Sequence, residues 1–340
     1  MGTSRLRLEV AVRLGTRPAY TRNMDGPSGR DGEPDPGSTP ALRWLLFRVR
    51  RHIGWARTQG VRRLIEEDQL DPFDRIPAAV RRVRWRRSHD HRPNAVPVFL
   101  VGVQRSGTNM LARGLERAPE VEVHNENDRE AFARFRIRPA PVIRDIVVGS
   151  KHAFVLFKPL CDSHRTPELL DGLETPSPGR AVWAYRAFQG RVRSSVAKFG
   201  DSNLRALRRI SEGAAEGLWQ AGGLSDDSLE LIRSFDYARM TPESASALFW
   251  FVRNRLYFDL GLDGRADVTL ASYEAMVSQP EHTMRSLCAF LDLSYRSDLI
   301  AGIEPRHPSS PDVDIDPVIR ARCFSLEAAL DEARYRHERS

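Results

Sequence analysis

Lysine is almost missing from this chain. Of 52 basic residues only Lys151, Lys158 and Lys198 are lysines. The bias is chain-wide, so an arginine marks nothing by itself, whereas a lysine stands out. Cysteine is scarce too. Cys161, Cys288 and Cys323 lie far apart, match no zinc-ligand spacing and cannot all pair. A disulfide scaffold is thereby excluded, and reduced thiols in a cytoplasmic protein are expected. No stretch approaches the ~18–20 apolar residues of a membrane span. The first residues carry Arg5, Arg7, Arg13 and Arg17 but no apolar core of signal-peptide length. No internal repeat is visible.

What is present fits a globular protein: 340 residues, 41% hydrophobic and 29% charged, with a mean hydropathy of −0.44. Charge is unevenly spread. Residues 1–95 hold 20 arginines against 11 acidic residues, a net +9, while the other 245 residues carry 32 basic and 34 acidic, a net −2. The basic character therefore belongs to the N-terminal third.

Three regions follow. Residues 1–40 read as a disordered tail and linker, because 21–40 hold four glycines and four prolines among polar residues. Residues 41–95 read as a basic, amphipathic helical extension. Within it, 41–57 interleave Trp44, Leu45, Phe47, Ile53 and Trp55 with Arg43, Arg48, Arg50 and Arg51. Such a helix suits either peripheral contact with the inner face of a membrane or docking on the domain surface, the commoner use. The arginine run 81–87 reads as a solvated basic face. No nucleic-acid module surrounds it, so no nucleic-acid partner is expected.

Residues 96–340 read as one α/β domain. Apolar runs at 96–103, 121–126, 154–161, 181–187 and 267–274 alternate with helical patterns at 109–118, 246–260, 279–293 and 316–336. That alternation predicts a central parallel sheet flanked by helices on both faces, a P-loop-like three-layer fold.

The most informative segment joins the first apolar run to the first helix: Val101-Gly102-Val103-Gln104-Arg105-Ser106-Gly107-Thr108-Asn109. A strand, a glycine loop and a helix start direct backbone N–H groups and the positive helix end at one point, which suits a phosphate. Gln104, Arg105, Ser106, Gly107, Thr108 and Asn109 are the candidate phosphate-binding residues. Gly102 and Gly107 have the spacing of a Walker A loop. However, Thr108 stands at the lysine position and Asn109 at the magnesium-binding hydroxyl. The loop reads as built for a phosphate without a metal.

The stretch VFLVGVQRSGTNML resembles the 5′-phosphosulfate loop, R-S-G-T-[TS]-x-L, of sulfotransferases that use 3′-phosphoadenosine 5′-phosphosulfate (PAPS). Asn109 replaces the usual Thr or Ser. An arginine at the position of Arg105 is similar to glycan-acting and bacterial members, since cytosolic members carry Lys there. Residues 181–199 (AVWAYRAFQGRVRSSVAKF) resemble the family's 3′-phosphate segment. Arg186 and, eight residues on, Ser194 fall on its spacing, with Ser195 as the register alternative. The usual acidic residue after the arginine is replaced near Gln189 and Gly190. Residues 271–293 resemble the family's YE-x-[LM]-V-x-x-P stretch, read here as scaffold. Arg306 resembles the basic C-terminal loop that closes over the nucleotide's 3′-phosphate, or belongs to a proline-rich surface loop.

The resemblance implies transfer of a sulfuryl group from PAPS, as co-substrate and without metal, to an acceptor hydroxyl on a small molecule, a glycan or a lipid. A general base is then needed near the loop. The end of the second strand offers His124, Glu126, Asp128 and Glu130. Family position favours Glu126, with Glu130 and His124 as alternatives. Lys158, at the end of an apolar run, needs an anionic partner or a ligand. The resemblance implies that it stabilises the sulfuryl group or the bridging oxygen, with Arg105 stabilising charge. Asp162, Ser163 and His164 are expected near the acceptor. Residues 200–250 carry no motif; Trp219 and Trp250 there suit either a sugar-stacking face or the core. The alternatives are a P-loop nucleotide kinase or NTPase, against which the missing Walker lysine counts, and a non-catalytic nucleotide-binding relative.

Overall fold

The computed structural model describes residues 94–303 and 312–339, with Pro305 and part of 80–88. The tail, the linker, the amphipathic stretch 41–57 and Arg306 lie outside the described residues.

Five apolar runs form one parallel sheet. Its strands are β1 (Val96–Gly102), β2 (Val121–His124), β5 (Phe154–Phe157), β6 (Arg180–Tyr185) and β7 (Val268–Ser272). Their order is β2-β5-β1-β6-β7, so β1 is central. A two-residue hairpin, β3 (Phe132–Ala133) with β4 (Arg136–Ile137), stands apart.

Alternation along the strands builds two cores. Val98 and Leu100, with Leu156, Val182 and Ala184, face helices α1 (Thr108–Leu115) and α9 (Pro280–Leu291). Phe99 and Val101, with Val155, Phe157, Trp183 and Tyr185, face α4 (Phe188–Phe199), α7 (Pro242–Asp259) and α10 (Pro317–Arg339). Strands buried on both sides need apolar residues at every position, which is why these runs do not alternate with polar ones. Fully burying each large apolar side chain contributes about 1.5–3 kcal/mol. Trp183 is wholly buried, and its indole N–H donates to Asn254 Oδ1 at 3.2 Å, leaving no unpaired polar atom there.

The helix expected at 246–260 begins earlier, at Pro242. Thr241 caps it by accepting the Ser244 amide at 3.1 Å, and proline suits the first turn. This helix is buried on nearly all sides because α4, α5 (Ser202–Ser211) and α10 enclose it. Trp250 belongs to this core and donates to the Arg186 carbonyl at 2.8 Å. The motif-free region also forms α6 (Asp226–Arg233). Two further helices, α2 (Ala140–Gly149) and α3 (Thr166–Asp171), carried no clear sequence signal. Among the described residues no helix is long and apolar enough to cross a membrane.

All five strands run the same way, so Gly102, His124, Phe157, Tyr185 and Ser272 end along one edge. The chain continues from β5 on one side of β1 to β6 on the other, a topological switch point at the sheet's centre. Ligands of open α/β sheets bind at such a place.

Candidate active site

The loop after β1 is shaped by two glycines. Gly102 has φ +118°, and a Cβ there would lie 2.2 Å from the Ala184 carbonyl oxygen. Gly107 has φ +84° and precedes α1, where a Cβ would press on the Tyr273 ring at 2.7 Å. Between them Arg105 holds a left-handed φ of +74°, uncommon for a side chain other than glycine. Ser106 and Thr108 are buried, and Ser106 Oγ has no hydrogen-bond partner among the described residues. A buried, unpaired hydroxyl in a glycine loop at a helix N-terminus is what a bound oxyanion would satisfy.

Several side chains hold this loop in place. Ser163 Oγ accepts the Gly102 amide at 2.9 Å and lies 3.0 Å from the Gly102 carbonyl. Arg191, buried on α4, donates through Nε to the Gln104 carbonyl at 3.2 Å. Its Nη1 donates to the Ser246 carbonyl at 3.0 Å and to Ser246 Oγ at 2.9 Å. Burial, reinforced by the neighbouring Arg105 charge, lowers its pKa to about 9. Gln104 Nε2 points to Cys161 Sγ at 3.8 Å.

Lys158 lies just past β5 and is 6% exposed. Its ammonium donates to Asn109 Oδ1 at 2.6 Å and sits 3.6 Å from Glu126 Oε2. Asn109, the residue that departs from the resemblance, is thus the link between the loop and this lysine. Burial raises the Glu126 pKa above the usual carboxylate range. The Lys158 charge and hydrogen bond oppose that rise, the Asp162 charge adds to it, and the Leu160 amide opposes it.

The alternative bases are placed differently. His124 is buried, stacks on Phe157 at 5.3 Å and binds Asp128 Oδ2 through Nδ1 at 2.8 Å. Burial pushes the Asp128 carboxyl up, but hydrogen bonds from His124 and from the Glu130 and Ala131 amides outweigh it and hold it low. Glu130 is exposed. Asp162, fully buried, accepts Arg136 Nε at 2.8 Å and the Ile137 amide at 2.8 Å, fastening the β3–β4 hairpin beside the site.

The second segment converges on the same edge. Arg186 leaves β6 with its guanidinium 4.2 Å from the Tyr273 ring centroid and its Nε 3.9 Å from Glu274 Oε1. Ser194 Oγ accepts Arg105 Nε at 3.0 Å. Ser195 faces inward and accepts from Asn203 Nδ2 at 3.0 Å. Of the two register alternatives, therefore, Ser194 is the one at the phosphate loop.

No family model matches the chain, and no curated protein matches it. Solved structures similar to it include a sulfotransferase from Alicyclobacillus acidocaldarius, at 15% identity and TM-score 0.40, covering 72% of this chain and 96% of that one. The sulfotransferase domain of the Synechococcus PCC 7002 olefin synthase gives 15% identity and TM-score 0.34, covering 74% and 96%. A mouse sulfotransferase complexed with PAP gives 13% and 0.33, covering 74% and 72%. All three are sulfotransferases.

Some site residues escaped the sequence reading. The Tyr273-Glu274 pair, read as scaffold, touches both Gly107 and Arg186. Glu274 Oε2 also accepts the Ala187 amide at 3.0 Å. Glu327, from α10, accepts the Phe188 amide at 2.9 Å and so occupies the N-terminus of α4. Burial, with the Glu274 and Asp331 charges beside it, raises its pKa to about 7. Arg191 was findable: it precedes Ser194 by three positions, the spacing that places two residues on one helix face.

Proposed function

We propose that this protein is a sulfotransferase that moves a sulfuryl group from PAPS to the hydroxyl of a carbohydrate or glycolipid acceptor. The observation that carries this reading is the Lys158 ammonium, which joins Asn109 of the phosphate loop to the half-buried Glu126. A charge-stabilising cation and a tunable base stand together beside an oxyanion cradle, where in-line transfer needs them. The loop residues fit the group: glycines that admit a close approach, and an unpaired Ser106 hydroxyl inside.

In the reaction, Glu126 accepts the proton of the acceptor hydroxyl. The oxygen attacks sulfur from the side opposite the 5′-phosphate. The bond from sulfur to the bridging oxygen breaks, and its electron pair stays on the phosphate of 3′-phosphoadenosine 5′-phosphate (PAP). Lys158 and Arg105 stabilise that charge, and neither acts as base: Arg105 keeps its proton at working pH. Arg186 and Ser194 hold the 3′-phosphate by charge-assisted hydrogen bonds.

The deciding experiment is calorimetric titration of PAP and of ATP, each with and without magnesium, on wild type and Arg186→Ala. The expected result is tight, magnesium-independent binding of PAP that falls at least tenfold in the variant. Preference for ATP with magnesium would overturn this reading in favour of a P-loop kinase.

A further inference from the structure

Beyond the catalytic pair, a second group of polar atoms stands with nothing to bind. Arg253, on α7, is 3% exposed. Its Nη1 donates to the Gly222 carbonyl at 2.7 Å, and its guanidinium lies 5.6 Å from the Trp219 ring centroid. Its Nη2 is buried and has no hydrogen-bond partner among the described residues. Two more orphans are neighbours. His164 Nδ1 and Gln220 Oε1 are likewise buried and unpaired. The chain folds these together tightly, since a Cβ at Gly222 would lie 2.7 Å from the His164 ring and one at Gly223 2.5 Å from His164 Cβ.

The charges here do not balance. Arg136 is paired with Asp162 at 2.6 Å and Arg165 with Glu168 at 2.6 Å. Arg253 has no carboxylate at ion-pair distance among the described residues. Burial, with a further push from the Arg253 charge, drives the His164 pKa down to about 4. Asp162 opposes this, and Arg136 and Arg165 add to it. A buried guanidinium with no carboxylate partner and one unsatisfied nitrogen is unfavourable, and a bound anion would supply both the charge and the acceptor it lacks. Location matters as well. Cys161, which accepts from Gln104 of the phosphate loop, feels both the Glu126 carboxylate and the Arg253 guanidinium. Cys161 thus stands as a common neighbour of the phosphate loop, Glu126 and the orphan cluster.

We propose that Arg253, flanked by His164, Gln220 and Trp219, is the pocket for an anionic group on the acceptor, so that the hydroxyl to be sulfated belongs to an acidic sugar. This rests on the reading above and narrows its acceptor class. The oxyanion takes the free Nη2–H of Arg253 and an N–H of His164, while the edge of Trp219 borders the ring. A carboxylate and a phosphate or sulfate ester share this chemistry.

The test uses glucuronate, glucose 6-phosphate and glucose as probes, titrated with and without saturating PAP, with the His164 ring followed by NMR across pH. Glucuronate or glucose 6-phosphate is expected to raise the His164 pKa by at least one unit and to bind at least tenfold tighter than glucose; the better of the two names the anion. Arg253→Lys keeps a charge but loses the planar fork, and should weaken the acidic probe tenfold or more. In Arg253→Gln without probe, His164 should itself titrate higher, which confirms that the variant is folded and that the two side chains face each other. Equal behaviour of acidic and neutral sugars, with PAP still bound, overturns the pocket and leaves the nucleotide reading intact. Failure of PAP to bind, with the glucuronate shift retained, overturns the nucleotide reading and leaves the anion pocket.

Discussion

Arg105 donates to Ser194 Oγ at 3.0 Å across 89 residues of chain, which fastens the loop after β1 to the helix after β6. The two segments thus form one surface rather than two separate motifs. Ser194→Ala removes the acceptor of that bond and, on the proposed reading, a 3′-phosphate donor together. PAP affinity should fall about tenfold, the value of one charge-assisted hydrogen bond, with little change in melting temperature. A calorimetric titration beside a thermal scan checks this, and unchanged affinity would remove Ser194 from the site.

The two loop glycines should fail in different ways. Gly102→Ala drives a methyl into the backbone of β6 and should destabilise the fold by about 2–5 kcal/mol, the sum of left-handed strain and overpacking. Gly107→Ala carries the same left-handed strain but meets the Tyr273 side chain rather than backbone, and so should cost less. The fold should survive there while PAP binding is lost. Thermal denaturation separates the two variants.

Much of this arrangement was legible in the chain itself. Apolar runs long enough to be buried on both faces announced the parallel sheet, and the glycine spacing announced the loop. What stayed hidden were contacts that sequence distance conceals. Glu327 reaches the start of α4 from 139 positions away, and although Arg191 sits one turn before Ser194, the distant carbonyls it binds are marked by no motif. The helix at 140–149 escaped because its apolar face is narrow, with only Ile143 and Val147 buried.

Glu126 and Lys158 make opposite demands on one proton. Burial raises the carboxyl pKa and the ammonium lowers it, so the acidic limb of kcat/KM should lie above the ordinary carboxylate range. Lys158→Met removes the opposing charge. The limb should then move to higher pH by about one unit or more, with kcat reduced. Glu126→Gln should retain PAP and lose transfer. A pH–rate profile decides, and an unmoved limb would transfer the role of base to Glu130 or His124.

Arg191→Met leaves the Gln104 and Ser246 carbonyls without their donor. Stability should fall by about 2–4 kcal/mol, and PAP should bind more weakly even well below the melting temperature. Unaltered PAP affinity in the folded variant would show that the loop holds its shape without this support.

Glu327 gives the fold a pH dependence of definite sign. Its pKa is raised from 4.5 to about 7, so the folded state binds its proton more tightly than the unfolded chain. Stability from this group is full below the unfolded value and is lost as pH rises through about 7, at up to about 1.4 kcal/mol per pH unit. Glu327→Gln still accepts the Phe188 amide but cannot ionise. It should flatten the stability profile between pH 4.5 and 7 and melt higher than wild type at pH 8. Parallel profiles would contradict this assignment.

The scarcity of lysine has a practical consequence once the three ammonium groups are located. Lys151 is exposed and Lys198 partly so, whereas Lys158 is shielded beneath Asn109 and Glu126. Amine-directed reagents therefore meet two outlying handles in this domain before they meet the proposed reactive centre. The protein can be tethered or dye-labelled through them with the site intact, and slow, nucleotide-protected acylation would report on Lys158 alone.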